Sequence, residues 1–299
     1  MYAITGISGQ VGGVMGNLLL EKKVPVRAVV RSMEKGEAWK LKGAEPAIAK
    51  LHDEESLRRA FTGCEGVFVM TPTLFESDDP MAEHDRMLDA LYSAIQQAQP
   101  KKVVFLSSVG AQHPIGTGAI KKLHDMEQVF AKLTMPSASI RAAWFMDNFQ
   151  GVLGYAHETG TLPSFLDPTT LTIPMVATKD IGAIAAGLLT ENWSGRRIIE
   201  LEGPCRYSTK DVAFVLSYLA KKNVVAVPIP ADEYRQTYRS LGLTPAAASL
   251  MAEMNRGFNA EYIGFEGNGC EHVEGITLLE DAIRSYGYGQ LNGRTISKG

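Results

Sequence analysis

Over residues 1–142, short apolar or β-branched runs alternate with segments whose apolar positions recur at helical spacing. The strand-like runs are "YAIT" (2–5), "VRAVV" (26–30), "AEPAIA" (44–49), "GVFVM" (66–70), "KVVFLS" (102–107) and "SASIRA" (137–142). Helical patterning falls between them at 10–21, 34–41, 54–62, 81–97 and 117–132. This alternation predicts βαβ units, because parallel neighbours need a crossover connection and a helix supplies it. Runs such as "VVFL" and "VFVM" are apolar on both sides, as strands covered by helices on both faces must be. The fold expected is α/β, a Rossmann-type doubly wound parallel sheet. Capping supports one boundary: Asp53 stands before "EESLRRAF", with Glu54 and Glu55 at the positive helix end, and Gly63 and Gly66 close it.

Beyond about residue 150 the pattern loosens. "GTLPSFLDPTTLTIPMV" (160–176) is turn-rich, "TKDIGAIAAGLLTE" (178–191) reads as a helix and "RRIIELEG" (196–203) as a strand. Stretches 208–222, 230–241, 244–258 and 277–286 each open on a cap or proline signal and read as helices. The expected organisation is therefore a nucleotide-binding unit over 1–150, with 177–203 returning to it, and a smaller, mostly helical lobe over 151–299.

Composition narrows the function classes. Of 299 residues, 45% are hydrophobic and 21% charged, with a net charge of −3. Lysine and arginine pairs are scattered and interrupted by acids, so no nucleic-acid partner is expected. No run approaches the ~20 apolar residues of a membrane span, and the opening residues lack a secretory pattern, so a cytoplasmic protein is expected. The three cysteines show no paired spacing and the histidines no H-x-x-x-H, so no metal is expected. A G-x-S-x-G elbow, the mark of nucleophilic hydrolysis, is missing too.

Chemistry enters with "TGISGQVGG" at 5–13. Gly6, Gly9 and Gly12 form G-x-x-G-x-x-G between the first strand and the first helix, where helix N-terminal N–H groups hold a dinucleotide pyrophosphate. Ser8 and Gln10 add donors, and Val11 and Gly12 lie in the same first turn. At the end of the second strand an NAD site carries an acid for the ribose 2′-hydroxyl. Here the chain reads "VVRSMEK", and Arg31, with Ser32 and Lys35, favours a 2′-phosphate, so NADP(H) is expected over NAD(H).

With these motifs the chain resembles the NmrA-like, atypical short-chain dehydrogenase/reductase family, which includes NAD(P)-sensing regulators, small NADPH-dependent quinone reductases and triphenylmethane-dye reductases. The resemblance rests on "TGISGQVGG", "VVRSMEK", "ESLRRAFTGCEGVFVMTP", "VVFLSSVGA", "SIRAAWFMDNF" and "ATKDIGAIAAGLL" in order, over nearly the whole chain. It implies that Thr71 and Pro72 lie along the cofactor and that Ser107 and Ser108 stand near the nicotinamide. It also puts Arg141, Phe145 and Asn148 in register with the family's R-x-x-x-F-x-x-N segment. Where the family usually shows Gly-Asp after the third strand, this chain has Ala49-Lys50, so Lys50 is a further phosphate candidate.

Ordinary short-chain dehydrogenases carry Tyr-x-x-x-Lys on the helix after the fifth strand, whereas 116–132 holds no tyrosine. The one match, Tyr218 to Lys222, lies outside the sheet order. The resembled reductases and sensors place a Lys or His four residues before a Glu. If Glu127 is that acid, the position holds Leu123, flanked by Lys122 and His124, and one residue is about 100° of helix rotation. Both neighbours stay open as proton donors, His124 favoured for its near-neutral pKa. Trp144, Phe145, Met146 and Phe149 are expected to line an apolar cleft for a flat aromatic substrate. Two functions stay open: an NADPH-dependent reductase passing hydride to a quinone-like or conjugated acceptor without flavin or metal, and a non-catalytic NADP(H) sensor. A third, sugar-nucleotide epimerisation, would want the missing tyrosine. A monomer or homodimer is expected.

Overall fold

The structure, a computed structural model, describes residues 1–288. The first half runs β1 (Tyr2–Ile4), α1 (Gln10–Glu21), β2 (Val26–Val30), α2 (Met33–Lys40), β3 (Glu45–Ile48), α3 (Glu54–Phe61), β4 (Gly66–Val69), α4 (Pro80–Ala98), β5 (Lys102–Ser108), α5 (Lys121–Phe130) and β6 (Ser137–Ala142). There follow β7 (Trp144–Phe145), α6 (Leu153–Thr159), β8 (Thr161–Ser164), β9 (Ile173–Val176), α7 (Thr178–Thr190), β10 (Arg196–Glu202), β11 (Arg206–Tyr207) and α8 (Thr209–Ala220). The last described elements are β12 (Val225–Pro228), α9 (Tyr234–Ser240), α10 (Pro245–Asn259), β13 (Glu271–Glu274) and α11 (Leu279–Ser285).

Eight strands form one sheet in the order β13-β10-β6-β5-β4-β1-β2-β3, every neighbouring pair parallel. From β1 the chain winds outward through β2 and β3, then returns to β4 on the other side of β1 and winds the opposite way. The carboxyl ends of β1 and β4 therefore flank the topological switch point, where the crevice of such a sheet opens. One face of the sheet is covered by α1 and α7 through Val11, Met15, Ile181 and Ala185, with Ile7 of the turn before α1. The other is covered by α3, α4 and α5 through Leu57, Phe61, Leu91, Ile95, Met126 and Phe130. A separate core cluster, including Met146, Leu162, Met175, Leu216, Phe258 and Ile283, draws mainly on the elements after β6 and also takes in Val109, Ala111 and Ile120.

Segment 178–202 lies with the sheet: α7 packs on it and β10 pairs with β6. The eighth strand comes from a stretch that the sequence pattern left without a strand. In "EHVE" only Val273 is apolar and half-buried, so the segment shows no alternation, yet at the sheet edge one apolar contact suffices. Asp180 on α7 holds the chain beyond it by accepting from the N–H groups of Ile276 (3.1 Å) and Thr277 (2.9 Å). The helix expected over 117–132 is a 3-10 turn at Gly118–Ile120 followed by α5. Among the described residues no helix is long and apolar enough to cross a membrane.

Candidate active site

The glycine turn follows from steric limits. Gly6 adopts φ +64, a left-handed conformation, and a Cβ there would lie 2.5 Å from the Met70 sulfur. A Cβ on Gly12 would fall inside the Gly6 carbonyl, so α1 can start this close to β1 only without one. The Gly9 N–H closes the turn on the Gly6 carbonyl at 2.9 Å. Gly9 is also the N-cap of α1 and brings no side chain to the helix end. The first bond of that helix runs from the Gly13 N–H to the Gly9 carbonyl (2.8 Å), leaving the N–H groups of Gln10, Val11 and Gly12 free of intrahelical acceptors. Val11 contributes only that backbone group, its side chain being core. The Gln10 amide reaches Gln150 across the entrance at 3.3 Å.

Beside the turn a groove of about 320 Å³ runs between α1 and α2, lined by Ser8, Gly9, Gly13, Asn17, Lys35 and Lys42 among others. Lys42 is held over the Trp39 ring (4.4 Å) and on the Asn17 amide oxygen (3.2 Å). Ser32 caps α2, its hydroxyl accepting from the Lys35 N–H at 3.4 Å. Arg31 and Lys50 are exposed, lie just past β2 and β3 at the same sheet edge, and have no side-chain partner among the described residues. Free first-turn N–H groups, a turn with no room for a Cβ and unpaired cations at one edge fit a dinucleotide with an extra phosphate.

Past β4 the chain leaves the sheet through Thr71 and Pro72. The Thr71 hydroxyl is buried without a partner among the described residues, an orphan that a ligand on this edge would satisfy. The Pro72 carbonyl accepts from Lys122 Nζ at 2.8 Å. Lys122 lies on the buried face of α5 with Met126, Glu127 and Phe130, and is 9% exposed. Burial alone pushes its pKa down to about 8. His124 is turned off that face: its Nδ1 lies 2.8 Å from the Ala111 carbonyl, which requires Nδ1 to donate.

A small cleft of about 20 Å³ opens beside Lys122, walled by Leu74, Phe75, Met81, Leu250 and Met251, and Lys122 is its one charged lining residue. The loop over it is fastened to the start of α10, where Thr244 donates its N–H to the Phe75 carbonyl (3.0 Å) and its hydroxyl to the Ser77 carbonyl (2.6 Å). Sequence reasoning expected the α10 helix but not that it and this loop wall the cleft, because the apolar walls come from three distant segments and carry no motif.

Several expected ligands have other partners. Ser107 is 2% exposed and donates to Glu127 at 2.6 Å, as Ser139 does at 2.7 Å, so its hydroxyl faces a buried ion pair. Ser108 donates to the Val109 carbonyl at 3.0 Å. Arg141 binds Glu127 at 2.8 Å and Glu266 at 2.6 Å, with Glu200 at 3.8 Å. Burial would raise the Glu127 pKa, but the hydrogen bonds and charge of Arg141, with both serines, outweigh it and hold the carboxyl below its usual value. Met146 and Phe149, expected to line the substrate cleft, are buried in the core cluster with Leu162, Leu216 and Phe258. Trp144 is half-buried edge-on to Phe258 (5.2 Å), its indole N–H buried and unpartnered among the described residues. Phe145 packs half-buried on the sheet core and Asn148 is exposed.

The sequence model of the NmrA-like family matches residues 2–280. Among characterised proteins the chain is similar to the NAD(P)H azoreductase of Xenophilus azovorans, at 26% identity over 85% of this chain and 86% of that protein. It is also similar to quinone oxidoreductase 2 of Escherichia coli strain K12, at 23% identity over 86% and 87%. Of solved structures, an Escherichia coli NADPH-dependent quinone oxidoreductase complexed with NADPH superposes with TM-score 0.80, 21% identity and coverage of 95% and 99%. The NADP(H) complex of a Citrobacter triphenylmethane reductase does so with TM-score 0.80, 20% identity and coverage of 96% and 100%. At these identities the structures establish the fold.

Proposed function

The chain belongs to the NmrA-like family, and from that premise we propose that it is an NADPH-dependent reductase of quinone-like or other conjugated acceptors. The observation that carries the reading is Lys122, a buried ammonium that pairs with no carboxylate among the described residues, held at the carboxyl edge of β4 and facing an apolar cleft. The azo- and quinone-reducing names of its relatives favour turnover over nucleotide sensing.

Gln10, Val11 and Gly12 would hold the pyrophosphate through backbone N–H groups, with Gly9 letting it approach, and Arg31 with Lys35 and Lys50 would hold the 2′-phosphate. The nucleotide supplies hydride when bound. Thr71 donates its orphan hydroxyl along the same edge. Lys122 stabilises the negative charge that develops on the acceptor's heteroatom and gives it a proton. Phe75, Met81 and Met251 exclude water. In this reading 1–150 with 177–203 binds the nucleotide, and the acceptor enters between that unit and 151–299. Neither flavin nor metal has a part in it.

The test is calorimetry with NADPH and with NADH, beside steady-state NADPH oxidation with quinones, azo dyes and triarylmethane dyes. NADPH is expected to bind more tightly, with turnover on at least one acceptor class. Tight NADPH binding without turnover on any of them would sink the enzymatic reading, and tighter NADH would overturn the role of Arg31.

A further inference from the structure

The cleft beside Lys122, at about 20 Å³, has room for about one water molecule. Pockets that hold a small-molecule ligand run to roughly 300–1,000 Å³, so a flat conjugated acceptor enters only if a wall moves. Three walls meet there: the loop after β4 with Leu74 and Phe75, the start of α4 with Pro80 and Met81, and α10 with Leu250 and Met251. Two of them are fixed by packing. Further along, α4 buries Leu88, Leu91 and Ile95 against the sheet. The other, α10, lies so close to the turn before α5 that a Cβ on Gly118 would stand 2.6 Å from the Met254 backbone nitrogen, and one on Gly257 would stand 2.7 Å from the Ile263 side chain. Segment 73–78 has no such anchor. Phe75 is 42% exposed, and Thr73, Glu76 and Asp78 stand in solvent. Among the described residues its hydrogen bonds to other elements are the two from Thr244, the N–H to the Phe75 carbonyl and the hydroxyl to the Ser77 carbonyl.

We infer that residues 73–78 form a lid over the acceptor cleft and that Thr244 is its latch, a positioning residue that acts through the lid. The inference rests on the reading that the acceptor binds beside Lys122. As N-cap of α10, Thr244 accepts from the Ala247 N–H at 3.3 Å while donating to Ser77, so the latch is built on the end of the wall that stays still. With both bonds made the cleft is closed, and Leu74 and Phe75 keep water from the Lys122 ammonium. A hydrogen bond exchanged against water contributes little net, so two of them hold the loop shut without making its opening rare. Acceptor and latch exclude each other, so the apparent affinity for an acceptor is the intrinsic one reduced by the fraction of molecules whose lid is open.

The test combines NMR hydrogen exchange of the nucleotide-free protein with steady-state NADPH oxidation by a soluble naphthoquinone, in the parent, Thr244→Ser, Thr244→Asp and Thr244→Val. Serine keeps donor and cap, aspartate keeps the cap without the donor, and valine lacks both. The amide at position 244 has the Phe75 carbonyl as its acceptor, so its exchange, corrected for the intrinsic rate, reads lid opening. In Thr244→Asp that exchange is expected to quicken about threefold to tenfold and the KM for the naphthoquinone to fall by the same factor, with Thr244→Ser near the parent. A merely structural role would not lower KM. Thr244→Val should repeat both shifts, and Thr244→Asp carries the test if valine at the cap fails to fold. Unchanged exchange in Thr244→Asp, a KM that holds or rises there, or a Thr244→Ser that behaves like Thr244→Asp would each overturn the inference. The functional reading fails separately: a parent that binds NADPH and reduces no acceptor sinks it, while exchange at position 244 still decides whether the loop opens.

Discussion

Two buried charges project from α5, and their surroundings are opposite. Glu127, 1% exposed, takes hydrogen bonds from Ser107, Ser139 and Arg141, and Arg141 ties it on to Glu266. Five residues earlier Lys122 is nearly as buried and has a single carbonyl for company. A satisfied buried ion pair fixes the register of α5 against β5 and β6. An ammonium left desolvated and unpaired is less stable than it would be in water, and it meets the condition for proton donation near neutral pH. Pairing separates the two roles better than burial does.

The largest expected effect comes from breaking the paired side. Arg141→Met leaves Glu127 as an uncompensated buried charge, and urea denaturation is expected to show a loss of about 3–5 kcal/mol. The unpaired side should answer oppositely. Lys122→Met is expected to unfold no more easily than the parent while NADPH-dependent turnover falls about a hundredfold or more. Equal destabilisation by both substitutions would erase the contrast.

The same difference predicts two pH windows. The folded pKa of Lys122 lies near 8, below its ordinary 10.5, so between those values the unfolded chain binds the extra proton. Stability should then rise with pH across that window by up to about 3 kcal/mol relative to Lys122→Met. The folded pKa of Glu127 is depressed, so its contribution is full above the ordinary carboxylate value and is lost as pH falls through the folded one. Thermal melts of parent and variants from acid to pH 10.5 read both. The smallest effect lies at the far end of the crevice, where the charges stand in solvent. Arg31→Ala is expected to weaken NADPH binding by up to about tenfold, leaving NADH unchanged and the fold unaffected.

What the sequence showed and what it hid divide along similar lines. The glycine turn and the β–α alternation were legible because each depends on spacing within a few residues. Lys122 and His124 stayed open as alternatives, since neighbouring positions differ by about 100° around a helix. Packing sets them apart: Lys122 shares the buried stripe with Met126 and Phe130, and His124 falls off it. The partners of Ser107 were hidden because they lie 20 and 34 residues further along the chain, in Glu127 and the Arg141 bound to that carboxylate. Strand β13 escaped because an edge strand with one half-buried valine has no period to detect.

The most direct test is the pH dependence of kcat/KM for NADPH-dependent reduction of a soluble naphthoquinone by the parent and by Lys122→Met. The account predicts that the parent holds its rate at neutral pH and loses it as pH rises through about 8, as the ammonium gives up its proton. Lys122→Met should be slow throughout and lack that limb. A variant as fast as the parent, with the same alkaline fall, would contradict the claim that Lys122 is the proton donor of this site.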